Sequence, residues 1–332
     1  MNSRERVLTA LEGGAVDRPP ISFWGHFYDR ESSARDLVEA TLEFQKRYAW
    51  DWIKLNPRKH YHVEPWGVRY RYSGAAKPVL ESWPVRLAAD WTKIAEVPHD
   101  QGALGEQIEA VRLLRQSAPA GIPIIETVFT PLAILGEMTE KPADLRRHMD
   151  SDPASVLHAL EAVTATFERY VRAVLAAGAD GIYLATVDWA SQDWITTAEY
   201  REWSLPHDRR ILSAAAGAPF NVLHVCKRRN LLLDLAELPV AAFSWDATDP
   251  TNPTIPQVLE RTRAAVMGGI SHERALMAST PDDALAEFRI AHEQTGGRRW
   301  LAAPSCSIAP TTPPENLKAL RAAVEEVEIR RS

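Results

Sequence analysis

Cysteine is almost absent from this chain of 332 residues, which has two, Cys226 and Cys306. So few thiols cannot build the disulfide framework of a small secreted domain. Long apolar runs are missing too, because none reaches the roughly 18 residues that span a bilayer. The charged first residues lack the apolar core of a signal peptide. We therefore expect a cytoplasmic protein that does not enter a membrane.

An excess of positive charge is also missing. Lys and Arg total 38 against 44 Asp and Glu, which gives a net charge of −6. Without a long basic run, a large contact with nucleic acid phosphates is not expected. Hydrophobic residues make up 45% of the chain and charged residues 25%, so it can bury a full core. Low-complexity linkers and short repeats are absent, and we expect one domain over 1–332.

The chain alternates between apolar segments typical of buried strands and segments with helical periodicity. A short helix is expected at the start, where Asn2 can cap it with Glu5 three residues on. Strands are predicted at 21–24, 51–55, 122–125, 181–185, 220–224, 240–244, 264–267 and 300–303. Helices are predicted at 34–48, 103–117, 154–177, 197–215, 230–237, 255–262, 281–295 and 314–328, and a hairpin strand at 68–72.

Eight buried strands separated by helices predict a parallel sheet, and in one uninterrupted domain they predict a (β/α)₈ TIM barrel. The alternative is an open doubly wound sheet, but no glycine-rich dinucleotide motif follows the first strand. Barrel enzymes place their sites where strands end. The residues at those predicted ends include both cysteines of the chain: His26, Tyr28, Asn56, Glu126, Asp188, His224, Cys226, Asp246, Met267 and Cys306.

The segment His224-Val225-Cys226 is the sharpest local feature. In an extended strand, residues two apart point to the same side, so this imidazole and thiolate can converge on one ion. Cys306 could complete the set from across the barrel mouth. Two thiolates and a neutral imidazole suit tetrahedral Zn²⁺ with a fourth position left for substrate. The alternative is that both cysteines are small buried apolar residues and His224 is a hydrogen-bonded core residue.

Four segments resemble the uroporphyrinogen decarboxylase superfamily: 3–7, 17–20, 200–206 and the specific C-terminal stretch 308–320. Together they span nearly the whole chain, and the resemblance implies a single (β/α)₈ barrel. Decarboxylases of this superfamily carry two arginines after the first prolines, but the corresponding positions here hold Gly25 and Asp29. Asn56 replaces an aspartate, Glu137 falls near a tyrosine and Cys306 replaces a histidine. A porphyrinogen rich in carboxylates needs cationic partners, so metal-free decarboxylation of a polycarboxylate is the alternative expectation.

The other branch that the sequence resembles is that of the zinc-dependent methylcobamide methyltransferases, which carry a H-x-C motif followed at long range by a second Cys. His224, Cys226 and Cys306 match it. The resemblance implies that zinc ionises an acceptor thiol, which then takes a methyl group from a corrinoid such as methylcobalamin. Asp246 could supply a fourth zinc ligand. No D-x-H-x-x-G corrinoid signature is present, so a corrinoid protein is the expected partner, with a small soluble methyl donor as the alternative.

The remaining candidates surround this centre. Asp188, Asn56 and Glu126 are predicted to act on the substrate or to support the site, and ordinary structural roles are the alternative. A further set is predicted to wall the substrate pocket, against a simple packing role: His26, Tyr28, Trp24, Trp189 and Met267. A non-catalytic binding protein that kept the fold remains a third class.

Overall fold

The computed structural model describes residues 1–329. Within them, parallel strands form one sheet whose order follows the chain. The strands are β1 (Ile53–Leu55), β4 (Ile124–Phe129), β5 (Gly181–Ala185), β6 (Val222–His224), β7 (Ala242–Ser244), β8 (Ala265–Ile270) and β9 (Trp300–Pro304). A separate antiparallel hairpin, β2 (Arg69–Ser73) and β3 (Ala76–Ser82), lies between β1 and β4 in the chain. The predicted α/β fold with a parallel sheet is confirmed.

Helices connect the strands. They are α1 (Ser3–Leu11), α2 (Ala34–Tyr48), α3 (Gly102–Ser117), α4 (Pro131–Glu137), α5 (Pro142–Ser151), α6 (Pro153–Ala176), α7 (Thr197–Trp203), α8 (Leu205–Ala214), α9 (Ile255–Arg261), α10 (Asp282–Thr295) and α11 (Pro314–Ile329). Among the described residues, no helix is long and apolar enough to cross a membrane.

The predicted first strand, 21–24, does not form a regular strand. Its residues nevertheless lie between the two edges of the sheet. The Asp51 backbone N–H donates to the Ile21 carbonyl at 2.9 Å, and the Ala302 N–H donates to the Pro20 carbonyl at 2.9 Å. Isolated parallel bridges pair Ile21 with Ala302 and Gly25 with Ile308. The Ile21 N–H donates to the Asp51 side chain instead of a neighbouring strand, so the pairing stays limited to bridges.

Two helix predictions were wrong in detail. The predicted helix 197–215 is interrupted at Ser204, because Pro206 in the first turn of α8 cannot donate a backbone hydrogen bond to the preceding turn. The hydroxyls of Tyr200 and Ser204 donate to Asp208 across the break at 2.7 and 3.0 Å. The predicted helix 230–237 forms only a short 3₁₀ turn at Leu232–Asp234.

The buried apolar residues form two layers. The larger one lies between the sheet and the surrounding helices. The smaller one contains the strand side chains that point the other way, such as Ile125, Tyr183 and Leu301, with Val7 and Leu11 of α1 packed against them. Side chains alternate between the two faces of a strand, so one face of each strand packs on helices and the other lines the interior of the curved sheet.

Candidate active site

One large cavity, of about 570 Å³, opens at the carboxyl ends of the strands. That volume is in the usual range for a small-molecule site. Most of the residues predicted at strand ends line it: His26, Tyr28, Asn56, Asp188, His224, Cys226, Asp246 and Cys306. Parallel strands bring their carboxyl ends to one edge, which is why residues so distant in sequence meet there.

Glu126 is not at the cavity, contrary to the prediction. Strand β4 runs on to Phe129, so Glu126 lies in its middle rather than at its end. Thr127 and Phe129 line the cavity, and Glu126 points to the opposite face. There its Oε1 accepts a hydrogen bond from the Tyr170 hydroxyl at 3.1 Å. Burial raises the pKa of this carboxyl well above its usual value.

The predicted apolar wall is also corrected. Trp24 and Met267 belong to the buried layer inside the sheet and do not line the cavity. Trp189 is buried as well and packs against Trp194, with 6.3 Å between the ring centroids. Trp194 lines the cavity instead. Both tryptophans follow the turn after β5, in which Val187 adopts a positive φ. Trp194, rather than the predicted Trp189, faces the cavity.

His224, the last residue of β6, is held on both sides. Its Nδ1 lies 3.1 Å from the Ser244 hydroxyl, and its ring stacks on Tyr183 with 5.1 Å between centroids. Its Nε2 is buried and has no hydrogen-bond partner. A buried polar atom without a partner is costly, so this nitrogen is available to a ligand.

The two thiols are close enough to act on each other's ionisation. The neighbouring Cys226 and His224 side chains lower the pKa of the Cys306 thiol well below its usual value. The proximity of Cys306, together with burial, raises the pKa of Cys226. Of the two thiols, Cys306 is therefore the one that ionises first.

The donor chemistry of this cluster fits zinc, although the side chains do not stand as a formed metal site. Across the described residues, no three His, Cys, Asp or Glu side chains are already arranged to hold an ion. Two thiols and an unpartnered imidazole nitrogen in one cavity are nevertheless the soft donor set that Zn²⁺ prefers. Asp246 also lines the cavity, but its Oδ1 accepts from the backbone and hydroxyl of Thr248 at 3.0 and 2.6 Å. Only Oδ2 of Asp246 is left for a ligand role.

Lys54 is a cavity residue that the sequence analysis missed. It sits in the middle of β1, is 5% exposed, and lines the cavity beside Asn56. Its ammonium group donates to Asn56 Oδ1 and lies 4.6 Å from the centroid of the Tyr183 ring. Burial lowers its pKa from 10.5 to about 7. A lysine inside a predicted buried strand is rare, and that was the signal available.

A second polar cluster lies at another wall of the cavity. Glu137 Oε2 is 2.9 Å from His60 Nδ1 and 3.2 Å from His62 Nε2. Burial works to raise the pKa of Glu137, but the two histidines outweigh it and hold the pKa well below its usual value. Lys59 and Lys77 also line the cavity, and the charge of Lys59 lowers the pKa of Lys77. This wall therefore offers positive charge to a ligand.

Residues 2–327 match the uroporphyrinogen decarboxylase (URO-D) family, and the chain belongs to that family. Of its curated relatives, a methylcobamide:CoM methyltransferase of Methanosarcina barkeri is 29% identical over 236 residues, which are 70% of this chain and 67% of the relative. A uroporphyrinogen decarboxylase of Syntrophotalea carbinolica is 27% identical over 267 residues, which are 76% of this chain and 73% of the relative.

Among solved structures, a methyltransferase from Methanosarcina mazei has the same fold, with a TM-score of 0.85 at 23% identity. The superposition covers 98% of this chain and 99% of that protein. The similarity therefore extends over the entire sheet and its helices, and both branches of the family are represented among the relatives.

Proposed function

We propose that this chain is a zinc-dependent methyltransferase that moves a methyl group between a corrinoid, carried by a partner protein, and a thiol or related acceptor. The proposal includes a single (β/α)₈ barrel domain, in which the segment 20–25 closes the sheet between β9 and β1. The backbone bonds of Pro20, Ile21 and Asp51 described above support that closure.

The observation that carries the proposal is the meeting of His224, Cys226 and Cys306 in one cavity, with a buried imidazole nitrogen that has no partner. Such a set is typical of a catalytic zinc ion with one open position. The methyltransferase names of the M. barkeri and M. mazei proteins support the same reaction class.

When bound, Zn²⁺ would lower the pKa of a coordinated thiol and so supply a nucleophile at neutral pH. The residues around it have their own tasks. Ser244 fixes the orientation of the His224 ring through Nδ1, which leaves Nε2 facing the cavity. Asn56 and Asp188 line the cavity near the cysteines and would orient the polar part of an acceptor. Asp188 is itself held by Lys227 at 3.2 Å.

The partner follows from the chemistry of the donor. A corrinoid needs a binding module of its own, and the sequence contains no D-x-H-x-x-G signature. The methyl group must therefore arrive through the cavity mouth on another protein or on a free cobalamin. His26 and Tyr28, which stack with 4.9 Å between their ring centroids, form part of the wall it would pass.

Metal-free decarboxylation is the second candidate, and the similarity to a uroporphyrinogen decarboxylase favours it. The structure offers an argument against it at one expected arginine position. A Cβ at Gly25 would lie 2.9 Å from the Ile308 carbonyl oxygen, so a side chain does not fit there without a shift of backbone. The cavity holds other cations, but not at that position.

Metal analysis and activity assays of matched variants test the proposal. Protein purified without chelators should contain about one zinc ion per chain, and it should transfer methyl groups from methylcobalamin to a thiol. Cys306→Ala and Cys226→Ala should stay folded but lose most of the metal and the activity. Asp246→Asn is the control and should lose less, because one of its carboxylate oxygens is already engaged by Thr248. Full zinc occupancy in the double cysteine variant, or enzyme-like turnover of uroporphyrinogen, would overturn the assignment.

A further inference from the structure

We infer that Lys54 supplies the countercharge for an anionic sulfur ligand that enters the cavity beside Cys226 and Cys306. The inference rests on the proposed thiol chemistry of this site. It identifies the residue that makes the cavity favour a thiolate over a neutral ligand of the same metal.

The position of Lys54 supports this role. Its ammonium group packs on one aromatic ring, that of Tyr183, which also stacks on His224. Both cysteines act on the charge of Lys54, and Cys306 has the larger effect of the two. The cation thus contacts the same ring as the proposed metal-binding histidine and lines the same cavity.

Lys54 has no carboxylate in ion-pair contact. Across the part of the chain that the structure describes, its hydrogen bond goes to the neutral amide of Asn56, and no carboxylate lies within ion-pair distance. The charges of Cys306, Glu126 and Cys226 favour the ammonium form of Lys54, but burial outweighs them and lowers its pKa. Lys59 adds further positive charge nearby. By contrast, Lys227, which also acts on the cysteines, is paired with Asp188.

In the proposed site a divalent ion would balance the two thiolates, and the buried Lys54 ammonium would then have no negative partner of its own. Its retention points to a ligand that supplies the missing negative charge. The charge balance of the proposed site identifies that ligand. A neutral imidazole, two thiolates and a divalent ion sum to zero. A third thiolate would leave one negative charge in a buried cavity, and the Lys54 ammonium offsets that charge. A neutral ligand adds no charge and gains nothing from Lys54.

Ligand titrations of the Co²⁺-loaded protein test this, because a new sulfur ligand changes the visible spectrum of cobalt. The probes are 2-mercaptoethanol, whose tail is neutral, and imidazole, which binds without charge. Lys54→Met should bind the thiol about 10- to 100-fold more weakly than wild type, as expected for the loss of a charge-assisted contact. Its affinity for imidazole should stay within about twofold. Lys93→Met is the control: it removes an exposed lysine that is paired with Asp90 and does not line the cavity, and both affinities should be unchanged.

Equal thiol affinity in wild type and Lys54→Met would overturn the inference and leave the proposed function standing. A parallel loss of imidazole affinity would also overturn it, because Lys54 would then support the metal site itself rather than the charge of the ligand. If wild type takes up no Co²⁺, or binds no thiol once loaded, the proposed function fails and the inference fails with it.

Discussion

Near strand β1, the two ends of the sheet treat buried charge in opposite ways. Asp51, just before the strand, is fully buried and accepts hydrogen bonds from Arg6 at 2.8 Å and Arg18 at 2.7 Å and from the Ile21 backbone. Lys54, three residues on, is buried among aromatic rings with no acidic partner. At the lower end, before β1, the charge of Asp51 is neutralised by arginines of the chain itself. At the upper end, where the cavity opens, the charge of Lys54 is left for a ligand to neutralise.

This difference explains what the family motifs do. The segments 3–7 and 17–20, which carry the resemblance to the family, supply Arg6, Asp17 and Arg18 to the paired network at the lower end. The segment 200–206 supplies the Tyr200 and Ser204 hydroxyls that hold the break before α8. These motifs therefore maintain the fold. Family motifs at the lower end of the sheet indicate a role in stability. The residues that carry the chemistry are expected at the carboxyl ends of the strands, where the cavity opens.

The largest effect is expected from Asp51→Asn. The change replaces the buried carboxylate that Arg6 and Arg18 share with a neutral amide. Arg6 keeps Asp17 and Arg18 keeps Glu325 as acidic partners, so the free energy of unfolding should fall by about 3 kcal/mol, the lower end of the range for a broken buried pair. Urea denaturation at pH 7 measures it. A loss below 1 kcal/mol would show that the lower network is no more important than a surface ion pair and would remove the contrast between the two ends.

Lys54→Met should act in the opposite direction and stabilise the protein by about 1–4 kcal/mol at pH 7. The pKa of Lys54 falls from 10.5 to about 7 on folding, so between these values the unfolded chain binds more protons than the folded one. Wild type should therefore gain stability as the pH rises from about 7 to about 10.5, and the variant should lack that gain. Urea midpoints across this range provide the measurement; a steeper slope in the variant would contradict the sign.

Asp17→Asn should have the smallest effect, a loss of about 1 kcal/mol at pH 7, because this carboxylate is partly exposed. Burial works to raise the pKa of Asp17, but Arg6 and the N-terminal amine outweigh it and hold the pKa below its ordinary 3.8. Its contribution should be complete above that value and disappear as the pH falls further. Thermal unfolding of both proteins from pH 7 down to pH 3 should show the two curves converging; a difference that widens in acid would refute this.

Much of the sheet could be predicted from sequence, because apolar segments bounded by turn residues mark buried strands. The irregular first strand could not, since its apolar pattern is intact while a side chain, that of Asp51, takes the Ile21 N–H. Glu126 was misplaced because β4 extends past its apolar run to Phe129, four residues beyond the predicted end. Glu126 therefore lies inside the strand, on the face that points away from the cavity. To place Trp24, Trp189 and Met267 correctly, one must know the direction in which each side chain points as well as its position in the chain.

The cysteine cluster could be predicted because cysteine is rare in this chain and each one follows a strand. The cluster of His60, His62 and Glu137 could not, because the histidines lie in a loop and Glu137 ends a short helix that the sequence did not indicate. Lys54 shows a further limit. The alternation of a strand tells which face a residue points to, but it does not tell whether a buried charge will find a partner.

The long connection between β1 and β4 has a consequence for how such proteins diversify. It carries Asn56, Lys59, His60 and Lys77 to the cavity, whereas His224, Cys226 and Cys306 come from the second half of the chain. Its hairpin, β2 and β3, forms a sheet of its own and shares no strand pairing with the main sheet. The connection therefore supplies one part of the cavity wall, while the three proposed metal ligands all come from elsewhere in the chain. Exchange of residues 56–82 between homologues should change this part of the wall and leave the proposed ligands in place.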